Sequence, residues 1–392
     1  MSALPQSAAP DHAPTARKNV IRVCVVDDAV VVRGMVSRWL AEEADLELVG
    51  SYRNGKVAVD SVARDQPDVI VLDIEMPEMD GLTALPLLLK AVPRARIVMA
   101  STLTRRNAEI SLKALSLGAA DYLPKPETNS GVSTSAEFRH ELIGKIRALG
   151  ARALHRGDGA AAARVTPLRG GAVQGPATAP AAAAGDDKVS LRAYSRTPPA
   201  VLAIGSSTGG PPALAALLGA LKNDVWRRMP VLVVQHMPAT FTAILAEHLT
   251  RAAHMPAAEA KDGEAIVAGR IYVAPGGKHM VLEGTRSAPK IKLTDDAPVH
   301  FCKPAVDPMF DTVAAIYGPA TLAVVLTGMG SDGALGAVKI ADAGGSVLAQ
   351  DKATSVVWGM PGATAHAGAC AGVMPVDRIA ARINEIAMGV RA

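Results

Sequence analysis

The sequence predicts an α/β protein made of two doubly wound parallel-sheet domains joined by a flexible linker. Three observations carry this. Short apolar runs alternate with segments of helical apolar spacing over residues 20–149, and again over 197–392. Such alternation builds strand–helix–strand units and therefore parallel sheets. Between these regions, residues 150–196 change composition sharply to Ala, Gly, Pro and Arg. Finally, many of the apolar runs end in polar residues, at the sheet edge where such folds bind ligands.

Composition narrows the field. At 392 residues and 49% hydrophobic content the chain can fill two or three cores. A net charge of +4, mixed in sign, is too mild for a nucleic-acid surface, and 3% aromatic content offers few platforms for stacking bases. Cys24, Cys302 and Cys370 are far apart and odd in number, which argues against a disulfide framework or a thiolate metal site. There is no signal-peptide core and no apolar run of membrane-span length. A cytoplasmic protein is expected, with no nucleic-acid partner and no membrane insertion.

Residues 1–19, polar and rich in Pro and Ala, are expected to be disordered. Val20–Val26 then reads as a buried strand ending in Asp27 and Asp28. Val32, Met35, Val36, Trp39 and Leu40 mark a following helix. Further strands are clearest at Val69–Leu72, Arg96–Ala100 and Ala120–Leu123. Asp73, then Ser101 and Thr102, then Lys125 follow them. Three carboxylates, a hydroxyl and an ammonium thus converge on one sheet edge. Clustered carboxylates repel and call for a cation, and hard oxygen donors suit Mg²⁺. A carboxylate beside Mg²⁺ and Lys can accept a phosphoryl group.

Residues 20–149 closely resemble the response-regulator receiver family. The likeness rests on Val25-Val-Asp-Asp28, Leu72-Asp-Ile-Glu-Met-Pro-Glu-Met-Asp-Gly-Leu82, Ser101 and Lys125-Pro126. It implies a flavodoxin-like fold with Asp73 as phosphoacceptor. It further implies Mg²⁺ held by Asp28 and Asp73, assisted by Asp27 and by the backbone carbonyl of Glu75. Lys125 would contact the phosphoryl group, and Ser101 would be the hydroxyl that moves toward it. Where the family often has Ser after the acidic pair, this chain has Ala29.

Residues 150–196 lack steady apolar periodicity and read as a tether. The second domain, 197–392, opens with the strand Val201–Ile204 and the turn Gly205-Ser-Ser-Thr-Gly209. Pro211 and Pro212 then start a helix marked by Leu214, Leu217, Leu218 and Leu221. The turn fits the G-x-S-x-G pattern of a nucleophile elbow, which exposes a serine oxygen beside backbone N–H groups. A phosphate cradle would need a following Gly-Lys-Ser/Thr, which is absent. Pro230–Gln235 is a second strand, ending in His236, and a helix covers roughly 240–253. Met280–Leu282 and Lys290–Leu293 can pair as a small antiparallel hairpin. Val306–Tyr317 reads as a helix, and Thr321–Leu326 as a third strong strand running into a loop that carries Asp332.

Ser207, His236 and Asp332 therefore share a carboxyl edge. A serine needs a base to take its proton, and the base needs an acceptor that fixes its tautomer. His279, His300 and His366, and Asp262, Asp295, Asp296, Asp307 and Asp311, are rivals. Of these, Asp307 and Asp311, spaced i, i+4 on a helix, are expected to face solvent.

The order Ser…His…Asp departs from that of α/β-hydrolases. With its preceding receiver, the domain resembles the chemotaxis protein-glutamate methylesterase (CheB) family, whose catalytic fold is Rossmann-like. The likeness is carried by Ile204-Gly-Ser-Ser-Thr-Gly-Gly210, Gln235-His-Met-Pro238, Tyr272-Val-Ala-Pro-Gly-Gly277 with His279-Met280, and Leu326-Thr-Gly-Met-Gly-Ser-Asp-Gly-Ala334. Ser206 stands where the family commonly has Ala. The resemblance implies that Ser207 is the nucleophile, His236 the base and Asp332 its orienter. The reaction implied is hydrolysis of glutamate methyl esters on methyl-accepting chemoreceptors, with deamidation of certain receptor glutamines, and no cofactor for this chemistry. Backbone N–H groups at Thr208 and Met329 are the oxyanion candidates, chosen from their loops. A chemotaxis histidine kinase would supply the phosphoryl group. Two other outputs remain on the sequence alone: a phosphorylation-dependent binding module with an idle site, and a DNA-binding effector, for which no recognition stretch is visible.

Overall fold

The computed structural model describes residues 20–125, 132–154 and 189–390. The expectations for residues 1–19, for Pro126 and for the middle of the tether lie outside them.

The first domain runs β1 (Ile21–Val26), α1 (Val30–Ala41), β2 (Leu46–Tyr52), α2 (Gly55–Asp65), β3 (Val69–Asp73), α3 (Gly81–Ala91), β4 (Arg96–Ser101), α4 (Arg105–Ser116), β5 (Asp121–Pro124) and α5 (Val132–Leu154). Its five strands are parallel in the order β2-β1-β3-β4-β5. The order reverses between β1 and β3, which opens a crevice at their carboxyl ends. β3 is buried along its whole length, as a central parallel strand covered on both faces must be. Local chemistry starts the helices. Asn54 Oδ1 accepts the Val57 N–H at 2.9 Å, and Asp80 Oδ1 accepts the Thr83 N–H at 2.7 Å. Ala29 has no oxygen to cap α1, and its N–H instead donates to Asp27 Oδ1 at 2.9 Å.

The second domain runs β6 (Val201–Ser206), α6 (Gly210–Gly219), α7 (Asn223–Arg228), β7 (Val231–Gln235), α8 (Ala239–Ala253), β8 (Ala257–Glu259), β9 (Ile271–Val273), β10 (His279–Thr285), β11 (Ala288–Thr294), α9 (Val306–Tyr317), β12 (Thr321–Val325), α10 (Ala334–Asp342), β13 (Ser346–Gln350), α11 (Met360–His366), β14 (Gly372–Met374) and α12 (Val376–Ala387). Seven strands form a parallel sheet in the order β14-β13-β12-β6-β7-β9-β8. The chain leaves β6 toward β7 and later returns to its other side with β12, so this sheet also has a switch point, at β6. β10 and β11 pair as the expected antiparallel hairpin, with Met280 opposite Leu293 and Leu282 opposite Ile291.

The tether expectation of 150–196 is too long at both ends. α5 continues to Leu154. Residues 189–196 lie along the second domain, where the Arg192 N–H donates to Cys370 O at 2.8 Å and the Ser195 N–H to Ser346 Oγ at 2.9 Å.

The two domains share one apolar seam. α4 packs on α8, and Leu112 and Leu115 join the same core as Phe241 and Ile244. The Tyr122 ring stacks on Phe241 with centroids 4.5 Å apart and planes 11° from parallel. Arg105 Nη2 meets Glu247 Oε1 at 2.7 Å on the exposed rim.

Candidate active site and phosphorylation site

In the first domain the expected residues do come together at the β1/β3 crevice. Asp27, Asp28 and Asp73 offer carboxylate oxygens within 4.8 Å of one another. Lys125 Nζ lies 2.6 Å from Asp27 Oδ2 and 2.7 Å from Asp73 Oδ1. Asp73 is buried, and burial pushes its carboxyl up to about 6. Lys125 opposes that rise, while the Asp27 carboxylate adds to it. Two adjoining carboxylates with a single ammonium between them are the electrostatic setting a divalent cation relieves. Asp28 is exposed and, with Glu75, Asp80 and Arg106, lines a cavity of about 460 Å³. The donor set is all oxygen and partly open to solvent, which fits Mg²⁺. Ser101 ends β4 and is buried, and its Oγ accepts from Ser111 Oγ at 3.1 Å. Thr102 instead takes a hydrogen bond from Asn107 Nδ2 at 2.7 Å.

In the second domain, parallel register fixes the neighbours. Ser206 sits opposite Gln235, so Ser207 and His236 leave adjacent strand ends. On the other side the Ser207 N–H donates to Thr327 O at 3.0 Å, which ties the turn to the loop after β12. Gln235 sets the turn: its Oε1 accepts from Ser206 Oγ at 2.7 Å and its Nε2 donates to Ser207 O at 2.9 Å. Gly210 is required here, because a Cβ would collide with Gln235 Oε1. Gly209 takes φ 73°, a left-handed turn that only glycine adopts freely.

His236 Nε2 pairs with Asp332 Oδ2 at 2.7 Å. Asp332 is held from its other side, with Val306 N–H donating to Oδ2 at 2.6 Å and Asp307 N–H to Oδ1 at 3.0 Å. These are first-turn N–H groups of α9, donors that a helix start leaves free. Burial works against a charged imidazole, but the Asp332 and Cys302 contacts outweigh it and raise His236 to about 10. Burial likewise disfavours the Asp332 carboxylate, yet its hydrogen bonds from His236 and the α9 N–H groups hold it below the usual range. An orienter that stabilises imidazolium in this way is what a serine–histidine pair needs.

Among the described residues Ser207 Oγ makes no hydrogen bond. The second imidazole nitrogen, Nδ1, lies 3.3 Å from Cys302 Sγ instead. Neither the Thr208 nor the Met329 N–H, among the described residues, is spent on another acceptor. Both loops therefore retain donors beside Ser207.

One sequence expectation fails at this site. Asp307 does not face solvent. It is 6% exposed, and its Oδ1 accepts the Gly336 N–H of α10 at 2.7 Å. Cys302, set aside by its spacing, touches His236. His279 is structural: it is buried between Ala297 O and the Ala305 N–H. Asp311 is part-exposed and pairs with Lys339 at 2.6 Å.

Three loops that rim Ser207 also reach the first domain. Met329 lies against Gly144 of α5, and Phe301 against His140 at 5.7 Å between ring centroids. Val356, which packs over Gly209, joins Val357 on the core between β1, α1 and α5.

Together, a carboxylate crevice of receiver type and a serine turn beside a histidine–aspartate pair define a response regulator with a hydrolase output. The response-regulator receiver domain model matches residues 23–136, and the CheB methylesterase model matches residues 202–383. The chain is 54% identical over 381 residues to the protein-glutamate methylesterase/protein-glutamine glutaminase of group 2 operon of Bradyrhizobium diazoefficiens, covering 95% of each. It is 52% identical to the corresponding protein of Rhodopseudomonas palustris strain HaA2, again over 95% of each. The CheB methylesterase catalytic domain of Thermotoga maritima aligns at 39% identity and TM-score 0.46, over 48% of this chain and 98% of that one. The chain belongs to the protein-glutamate methylesterase/protein-glutamine glutaminase family, and both activities are those of its relatives. Among the described residues no helix is long and apolar enough to cross a membrane.

Proposed function

We propose that this chain is a phosphorylation-activated methylesterase and deamidase of methyl-accepting chemoreceptors, acting through Ser207, His236 and Asp332. The observation that carries the reading is the His236–Asp332 bond of 2.7 Å beside a glycine-rich serine turn on the neighbouring strand end. Ser207 Oγ attacks the side-chain carbonyl of the receptor glutamate ester. His236 in its neutral form, the minor one at neutral pH given its rise to about 10, takes the proton at Nδ1, since Nε2 is held by Asp332. The Thr208 and Met329 N–H groups, given no other acceptor among the described residues, receive the developing oxyanion. His236 then returns the proton to the leaving group as its bond to the carbonyl carbon breaks: to the methoxy oxygen, which leaves as methanol, or to the amide nitrogen of glutamine, which leaves as ammonia. A water, deprotonated by the same ring, hydrolyses the acyl-enzyme to free glutamate and restores Ser207.

Asp73 is the phosphoacceptor, supplied by a chemotaxis histidine kinase. Asp27, Asp28, Asp73 and the Glu75 carbonyl would hold Mg²⁺, which when bound would neutralise charge on the transferring phosphoryl group. Lys125 contacts the same group, and Ser101 turns toward it. With the receiver seated on α8 and α5 against the three rim loops, a receptor helix lacks access to Ser207. Phosphorylation frees that face.

The test is methanol release from methylated receptor membranes by wild type, Ser207→Ala and Asp73→Asn, with and without a small phosphodonor and Mg²⁺. Wild type should respond to the donor. Ser207→Ala should lose at least about 10³-fold, and the ratio of stimulated to unstimulated rate should fall to one in Asp73→Asn. Persistent release by Ser207→Ala would reject the nucleophile, and a preserved donor response in Asp73→Asn would reject the switch.

A further inference from the structure

Asp307, which heads α9, holds an unusual oxygen. Its side chain is 9% exposed, and Oδ1 is satisfied by the Gly336 N–H, but among the described residues Oδ2 is buried with no hydrogen-bond partner. Leaving such an atom without a hydrogen bond is costly, so it calls for a ligand. Two groups face it. His300 Nε2 lies 3.3 Å away, on a side chain that is 40% exposed. A carboxylate oxygen of Asp332 completes a set of three donors, all within 4.8 Å of one another.

We propose that His300, Asp307 and Asp332 form a site for a borderline first-row divalent cation, of which Zn²⁺ is the natural probe. One imidazole and two carboxylates suit zinc better than Mg²⁺ or Ca²⁺, which take all-oxygen shells. Tetrahedral zinc with bonds of about 2.0–2.1 Å places neighbouring donor atoms about 3.3 Å apart, matching the His300–Asp307 edge. Three protein donors leave a fourth position for water, on the side where His300 opens to solvent. The cation also offsets the repulsion between the Asp307 and Asp332 carboxylates.

The site shares Asp332 with the triad. A cation on that carboxylate draws charge away from His236, so zinc is expected to inhibit ester hydrolysis. This consequence rests on the triad reading above, whereas binding does not.

Isothermal titration of the untagged, chelator-stripped full chain with Zn²⁺ tests the binding. It is run in excess Mg²⁺ and in an Asp73→Asn background, which weakens the receiver's own carboxylate cluster. One zinc per chain is expected. Adding His300→Ala should weaken it at least about tenfold, and His300→Cys, which keeps a zinc-ligating atom, should restore binding. Unchanged affinity in His300→Ala, or no zinc bound in the Asp73→Asn background, overturns the site. Methanol release with and without Zn²⁺, taken as a ratio within each protein with intact Asp73, should show inhibition that His300→Ala relieves. Binding that depends on His300 without any inhibition would overturn the sharing of Asp332 and leave the triad to be judged by Ser207→Ala.

Discussion

Tyr122→Ala is the sharpest probe of the proposed gate. The ring belongs to the receiver and its stacking partner, Phe241, to the hydrolase domain, so the contact exists only while the two are docked. At 4.5 Å and 11° it is an offset-stacked pair, worth about 0.5–1.5 kcal/mol beyond the area it covers. Lys145, 5.2 Å over the same ring, lies within the receiver and contributes equally in both states. Losing the stack should raise the undocked fraction, and with it the unstimulated rate, by about 2- to 13-fold while docking still dominates. Tyr122→Phe keeps the ring and should change that rate by less than about twofold. Arg105→Ala removes a rim ion pair whose partners are 63% and 47% exposed. Such a pair is worth at most about 1 kcal/mol and is screened by salt. Its gain should thus stay below about fivefold and vanish at high ionic strength, unlike that of Tyr122→Ala. Methanol release without donor, at low and high salt, measures all three. An unstimulated rate unchanged or lowered in Tyr122→Ala, in protein that still takes up phosphoryl groups, would refute the seam as the gate.

Two further perturbations test the serine turn and the cores. Gly210→Ala drives a methyl into the Gln235 side-chain amide, whose Oε1 holds Ser206 and whose Nε2 holds Ser207. Overpacking of this kind costs about 1–3 kcal/mol, so calorimetry should show the second domain melting several degrees lower, and an unshifted melt would contradict the packing. The Cys24 and Cys370 thiols are pushed up to about 12 by burial. In the native chain at pH 8, iodoacetamide followed by mass mapping should therefore label Cys302 first, and equal labelling of all three would contradict that burial.

The candidate sites were legible where each proposed functional residue follows its own strand. A run such as Val69–Leu72 is apolar on both faces and needs no distant partner to be recognised, so Asp73, Ser207 and His236 stand out at the ends. Edge strands carry no such signal. β2 mixes buried and exposed positions, and β8 has three half-buried residues. Asp307 misled for another reason. Its i, i+4 spacing with Asp311 describes one helix surface, but its burial comes from α10, whose Gly336 N–H lies 29 residues along the chain. The contact of Cys302 with His236 spans 66 residues. Residues 189–196 likewise look like tether because their hydrogen bonds run to Ser346 and Cys370, contacts that no local periodicity encodes.

The seam between α4 and α8 is made chiefly of apolar side chains, Leu112 and Leu115 against Phe241 and Ile244, with one ion pair at its rim. Parting it hydrates hydrocarbon, which carries a positive heat-capacity change. Docking across this seam is therefore driven by water entropy near room temperature and weakens on cooling. On the proposed gating, the enzyme's resting leak is then expected to follow temperature: tightest in warmth, and looser in the cold, with no change in phosphorylation.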